Sequence, residues 1–125
     1  MLLELLLGKL YEEANIMDQA EMHFRKGYGM SQKSSGWNYQ LARFLIYNDI
    51  NVDEGMEFIN KALEALPEEG MYLQLKGWGL YKQGKYEESV QLLSEMWDKN
   101  IGFNIELYNH LNEAKQALAN QNKTQ

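Results

Sequence analysis

Cysteine does not occur anywhere in the 125 residues. A disulfide framework, a thiolate metal site and a cysteine nucleophile are therefore excluded, and the redox state of the compartment leaves no mark on the chain. Proline occurs once, at Pro67, and there is no strand-like alternation of apolar and polar residues, so the chain reads as helical. Basic residues are also scarce: 12 Lys and Arg against 18 Asp and Glu leave a net charge of −6. Phosphate recognition needs a basic face, so nucleic acid is not an expected partner. No long hydrophobic run is present. The opening Met1-Leu2-Leu3-Glu4-Leu5-Leu6-Leu7 lacks a basic start and a small-residue cleavage pattern, carries Glu4 inside its apolar stretch, and is far too short to span a bilayer. No membrane partner is expected.

What is present is a period. With 45% hydrophobic and 24% charged residues the chain has the composition of one globular domain. Its segment Gly70 to Asn100 repeats residue types found 34 positions earlier: Gly36 for Gly70, Gln40 for Gln74, Leu41 for Leu75, Phe44 for Trp78, Tyr47 for Tyr81, Ile59 for Leu93. With one extra residue, assigned to the loop Ser31 to Ser35, an earlier copy follows: Leu7, Tyr11, Ala20, Phe24 and Gly27 stand 35 positions before Ala42, Ile46, Gly55, Ile59 and Ala62. Such self-similarity marks a solenoid of helical pairs.

Those residues resemble the tetratricopeptide repeat family, whose unit carries Leu-Gly then Tyr in its first helix and Ala, Phe and Ala in its second. Here they are Leu7-Gly8, Tyr11, Ala20 and Phe24, with Gly27 in place of the last Ala. The resemblance covers nearly the whole chain and has a bacterial-type cast. It implies an all-α, right-handed solenoid of three antiparallel helix pairs (about residues 1–34, 36–69 and 70–103) and a C-terminal capping helix (about 104–120). These form a single domain over residues 1–120, with a flexible tail over 121–125.

Local signals refine that outline. The apolar spacing of Leu3, Leu6, Leu7, Leu10 and Tyr11 predicts a helix from Leu2 to about Ala14. Asp18 is the expected N-cap of the second helix, which should break near Gly27. Arg43 stands where Gly8 and Gly77 stand, so the second pair must splay or aim the guanidinium outward. Ile50 occupies the turn position of Asn15 and Gly84. A β-branched side chain fits a left-handed turn poorly, which predicts that Asp49 or Asn51 takes that conformation. Because the repeat phase begins within the first residues, no leader is expected before it, and the chain is expected to be either a minimal protein or, in preference, a segment of a longer one. The compartment is cytoplasmic by default, or periplasmic if that protein is exported.

No catalytic constellation emerges. His23 and His110 lie on different helices and are expected at the surface, so no metal or other cofactor is expected. The pairs Glu12-Glu13, Glu68-Glu69 and Glu87-Glu88 do not converge, because adjacent helical residues point in different directions. An enzyme is not expected. The resemblance instead implies a protein-interaction scaffold whose first helices line a concave groove holding a peptide or a partner helix. The groove residues it implies are Trp37, Gln40, Phe44, Tyr47 and Asn48 in the second pair, Gln74, Trp78, Tyr81 and Lys82 in the third, and Tyr108 in the cap. The aromatic members are either a binding stripe or packing between helices. Chaperone-tail-binding members of the family hold a terminal carboxylate at five positions, which here are Leu5, Lys9, Leu41, Met71 and Leu75. One cation does not make that clamp, so such a tail is not the expected ligand. A second reading is a spacer that packs on a neighbouring domain of a larger bacterial protein. Finally, Leu2, Leu3, Leu5, Leu6 and Leu7 exceed what one buried stripe requires, which predicts that another copy or further sequence covers part of that helix, as in a weak homodimer.

Overall fold

A computed structural model describes residues 2–32, 34–99 and 104–124. Among these residues seven helices follow one another: α1 (Leu2–Glu13), α2 (Met17–Met30), α3 (Ser35–Tyr47), α4 (Val52–Ala65), α5 (Gly70–Lys82), α6 (Tyr86–Lys99) and α7 (Ile105–Lys123). No strand occurs among the described residues, and none of their helices is long and apolar enough to cross a membrane. The helices fall into two compact units, divided between Leu66 and Pro67.

Within each pair the two helices are joined by the same turn. Asn15, Asp49 and Gly84 have positive φ (61°, 55° and 80°), and the residue after each donates its N–H to the carbonyl five residues back: Ile16 to Tyr11, Ile50 to Leu45, Lys85 to Leu80. This closes the orphan carbonyls of the helix end. Asp49 rather than Ile50 takes the left-handed conformation, because a short polar side chain tolerates it and a β-branched one does not. The residue released by this shift, Asn51, caps α4 by accepting the Glu54 N–H at 3.1 Å.

The N-terminal unit packs α1 to α4 around Ala20, Phe24, Trp37, Leu41, Phe44 and Leu45, with Leu5, Tyr11, Met17, Tyr28 and Phe58 at its margin. Small residues set the close approaches. A Cβ on Gly8 would lie 3.0 Å from the Phe24 ring, and one on Gly55 2.6 Å from Ile46 Cγ1. Gly27 answers to the Trp37 ring, which a Cβ would meet at 2.1 Å. This is why Gly stands where the repeat pattern has Ala. It also explains why α2 does not break at Gly27 but runs on to Met30: the glycine serves packing, not termination. Asp18 is not the N-cap of α2. It sits within the first turn, where its Oδ1 accepts from the N–H of Gln19.

The C-terminal unit packs α5 on α6 and α6 on α7. Its core is Leu93, Leu107, Leu111 and Ala114, flanked by Tyr81, Val90, Met96 and Trp97. Gly77 faces Leu93, whose Cδ2 a Cβ would meet at 2.5 Å, and the buried Ser89 hydroxyl donates to the Gly77 carbonyl at 2.7 Å. Asn104 caps α7 by accepting the Leu107 N–H at 3.1 Å. The helix continues through Gln121 and Asn122 to Lys123, beyond its expected end near residue 120.

Candidate interaction surface

In the N-terminal unit, two of the five residues expected at a groove are core. Phe44 is wholly buried and stacks on Phe24 with ring centroids 4.9 Å apart, and Trp37 is buried over Gly27. Their position in the repeat turns them toward α2, so neither can grip a ligand. Gln40 and Tyr47 on α3 and Asn48 at its C-terminal cap are half-buried. The Gln40 Oε1 is enclosed and accepts no hydrogen bond among the described residues.

The expectation for Arg43 is replaced by a third outcome. The helices do not splay and the guanidinium does not point to solvent. It reaches across to α1 and forks onto Glu12 with N–O distances of 3.1 and 2.7 Å, passing over the Phe24 ring with its Cζ 5.6 Å from the centroid. Asn48 donates to the same carboxylate at 2.6 Å. Burial pushes the Glu12 carboxyl up, but the hydrogen bonds from Arg43 and Asn48 outweigh it and hold the group below the ordinary glutamate range. A hollow of about 410 Å³ lies beside this pair, lined by Lys9, Glu12, Glu13 and Arg43.

Two further ion clusters tie the unit together. His23 Nδ1 lies 2.6 Å from Glu4 Oε2, with Lys26 at 3.4 Å from the other oxygen and Tyr11 stacked on the imidazole at 5.4 Å. His23 is thus largely covered rather than superficial. Its hydrogen bond, opposed by burial and aided by Lys26, holds Glu4 below the ordinary glutamate range. Arg25 forks onto Glu54 at 3.0 and 2.7 Å and also binds Glu21, and that fork lowers Glu54. Apart from the Glu21–Arg25 pair, four residues apart on one helix, no local spacing signals these contacts: His23–Glu4, Arg25–Glu54 and Arg43–Glu12 are 19, 29 and 31 residues apart. Arg43 in a small-residue position was the one visible clue.

The C-terminal unit brings more of the expected residues together. Trp78 stacks on Tyr81 (centroids 4.5 Å, planes 10° apart) and on His110 (3.9 Å, 11°). Two rings cannot lie side by side on one indole face at those distances without overlapping, so they cover opposite faces. The Lys82 ammonium stands 5.8 Å from the indole centroid. His110, expected at the surface, is buried in this stack. Burial lowers its pKa against the pull of Glu106 and Glu113, so the imidazole is neutral at pH 7. Burial, with Glu113 and Tyr86 adding to it, pushes the Tyr81 phenol up. Both π faces of Trp78 are therefore occupied by its own chain, and only its edge is left for a ligand.

Beyond the stack, Gln74 Oε1 accepts from Asn104 Nδ2 at 3.3 Å, linking α5 to the start of α7. A hollow of about 330 Å³ opens there, lined by Gly70, Met71, Gln74, Met96, Asn104 and Leu107 with Glu69 and Lys99 at its edge. Met71, in its lining, is exposed, as are Ile105 and Tyr108 in the first turn of α7, and Tyr108 leans on Trp97 with centroids 5.8 Å apart. Among the described residues no cluster of three or more His, Cys, Asp or Glu side chains could hold a metal ion.

No family model and no curated protein matches the chain. Among solved structures it is similar to the first tetratricopeptide repeat domain of Spaghetti (RPAP3) bound to an HSP90 peptide, SRMEEVD, with 19% identity over 94% of each chain and a TM-score of 0.76. At that identity the likeness is one of fold. The chain has the tetratricopeptide-repeat fold, an all-α helical solenoid of three helix pairs and a closing helix.

Proposed function

We propose that the chain is a non-catalytic protein-interaction scaffold, and that the first-helix face of its C-terminal unit takes a peptide segment or a partner helix. The observation that carries this reading is the hollow between Met71, Gln74, Asn104 and Leu107, of which Met71 is exposed, with the exposed Ile105 and Tyr108 next in sequence to Asn104 and Leu107. Exposed apolar and aromatic side chains grouped around a concavity that also holds amide groups can seat an apolar side chain and meet the backbone beside it. The fold has a member that holds a peptide, which supports the class of ligand. Trp78, Tyr81 and Lys82 follow Gln74 along α5 and in this reading extend the site. Gln40, Tyr47 and Asn48 offer the corresponding face of the N-terminal unit.

A carboxylate-terminated chaperone tail remains a poor ligand. Of the five clamp positions, Leu41 and Leu75 are buried in the core and Met71 is apolar, leaving Lys9 as the sole cation. Recognition by apolar contacts and amide hydrogen bonds depends little on salt, unlike recognition by exposed ion pairs. The test is selection from a randomised linear-peptide library, followed by affinity measurement on Met71→Glu and Tyr108→Ala, with SRMEEVD as a separate arm. Selected peptides should lose at least tenfold in affinity on both variants at unchanged melting temperature, and SRMEEVD should not bind. Selected peptides indifferent to both substitutions would place the site elsewhere. A second reading, a spacer packed on a neighbouring domain, is favoured by one observation only: the exposed leucine face of α1.

A further inference from the structure

The outer face of α1 has no partner among the described residues. Leu2, Leu3, Leu6 and Leu10 are exposed to 70, 63, 52 and 62%, and with the half-buried Leu7 they include the i, i+3, i+4, i+7 stripe (Leu3, Leu6, Leu7, Leu10) through which helices pair. The acid in the first turn does not interrupt it: Glu4 is turned inward onto His23 and Lys26. The first charges beside the stripe are Lys9 and Glu13, both toward the C-terminal end of the helix.

We infer that this face docks on the same face of a second copy, in a two-fold antiparallel pair of α1 helices centred on Leu6. A surface made of one apolar residue type is its own complement, so two copies meet Leu on Leu without burying a charge. It offers no charge by which to select a polar or charged partner. Its area fits a reversible pair. At roughly 100 Å² of apolar surface per exposed leucine, each copy contributes about 400 Å² and the pair buries about 800 Å², below the roughly 1,200 Å² at which stable interfaces begin. Each copy carries −6, so the two repel and added salt, by screening, tightens the dimer.

Sedimentation over a concentration series should show a monomer–dimer equilibrium that strengthens with salt. The double substitution Leu6→Glu, Leu10→Glu should weaken it at least tenfold while circular dichroism is unchanged, because both side chains already face water. The absence of cysteine allows a register test. In the antiparallel pair Leu6 faces its own copy, whereas the two Leu10 Cα atoms are displaced by about 12 Å along the axis, beyond disulfide reach. Leu6→Cys should therefore cross-link under mild oxidation much faster than Leu10→Cys. A folded chain monomeric at every concentration, a dimer indifferent to the double substitution, or equal cross-linking of the two cysteine variants would overturn the proposal. So would capture of this face by a different protein while the chain alone stays monomeric. The substitutions lie in the N-terminal unit and the peptide reading rests on residues of the C-terminal one, so failure here leaves the peptide reading untouched.

Discussion

Replacing Gly27 by Ala restores the residue that the repeat pattern has at that position and removes a glycine from a helix interior. On propensity alone it should stabilise α2 by about 1 kcal/mol. The packing gives the opposite sign. The new Cβ would lie 2.1, 2.6 and 2.7 Å from three carbons of the Trp37 six-membered ring. Ordinary contact begins near 3.5 Å, so the ring must retreat by about 1.4 Å. Trp37 is buried among Phe24, Leu41 and Leu45, and has nowhere to go without disturbing them. Overpacking of this kind costs about 1–3 kcal/mol, and a contact this short belongs at the upper end, so after the propensity gain Gly27→Ala should destabilise by up to about 2 kcal/mol. Urea and thermal denaturation followed by circular dichroism would measure it, at about 3–6 °C per kcal/mol for a chain of this size. The pairing with Trp37 is isolated by a cycle. Trp37→Leu alone should be destabilising through the cavity it leaves, and Gly27→Ala added to it should then be neutral or stabilising. A more stable Gly27→Ala single variant would refute the placement of Trp37 over α2.

Acid should weaken the N-terminal unit. Glu4, Glu12 and Glu54 are all held below the ordinary glutamate value of 4.5, so their contribution is complete above that value and is lost as the pH falls below it toward the lowered folded-state values. Glu12→Gln should reduce stability at pH 7, by leaving Arg43 without its counter-charge, and should flatten the acid limb of a stability-against-pH curve; an unchanged limb would argue against the Arg43 fork. In the C-terminal unit the loss should begin earlier. His110 is lowered from 6.5 by burial, so the unfolded chain binds its proton first and stability falls as the pH drops below about 6.5. His110→Phe, which keeps a ring against Trp78, should abolish that step; its persistence would assign the step to another group.

The helical pairs were legible because they rest on local chemistry repeated at a fixed period. The spacing of Leu3, Leu7 and Tyr11, and of Ala20 and Phe24, follows from a helix needing a buried stripe and a small residue at each crossing. The shift of the second turn to Asp49 was also legible, since steric exclusion of Ile50 from the left-handed region acts within one residue. The surface was less so. Phe44 and Trp37 share repeat positions with groove residues, but which neighbour an aromatic ring turns toward depends on space left by another helix, here Gly27. The pairing of Trp78 with His110 and of Arg43 with Glu12 depends on side-chain reach across 31 or 32 residues of chain. No period reports it.

The part played by α7 makes the sharpest claim about the C-terminal unit. That unit contains only three helices, and α7 supplies Leu107, Leu111 and Ala114, three of the four residues at its buried centre, together with His110 against Trp78. Removing α7 would uncover Leu93, which is now wholly buried, as well as Met96, Trp97 and one face of the indole. Burial of two leucines is worth about 2 kcal/mol each, with the alanine and the ring stack adding about 1–2 more. The loss of about 5–6 kcal/mol is comparable with the whole stability of a small domain, about 5–15 kcal/mol. A chain ending at Gly102 should therefore lose the cooperative melting of α5 and α6 and aggregate through the exposed face, whereas a chain ending at Asn120, which removes five polar residues, Gln121 to Thr124 of them exposed, should melt as the full chain does. Circular dichroism melts and light scattering on the two truncations decide it. Equal cooperativity and equal melting temperature for the chain ending at Gly102 would mean that α5 and α6 hold together without α7, and that the buried contacts to Leu93 are not what stabilises the unit.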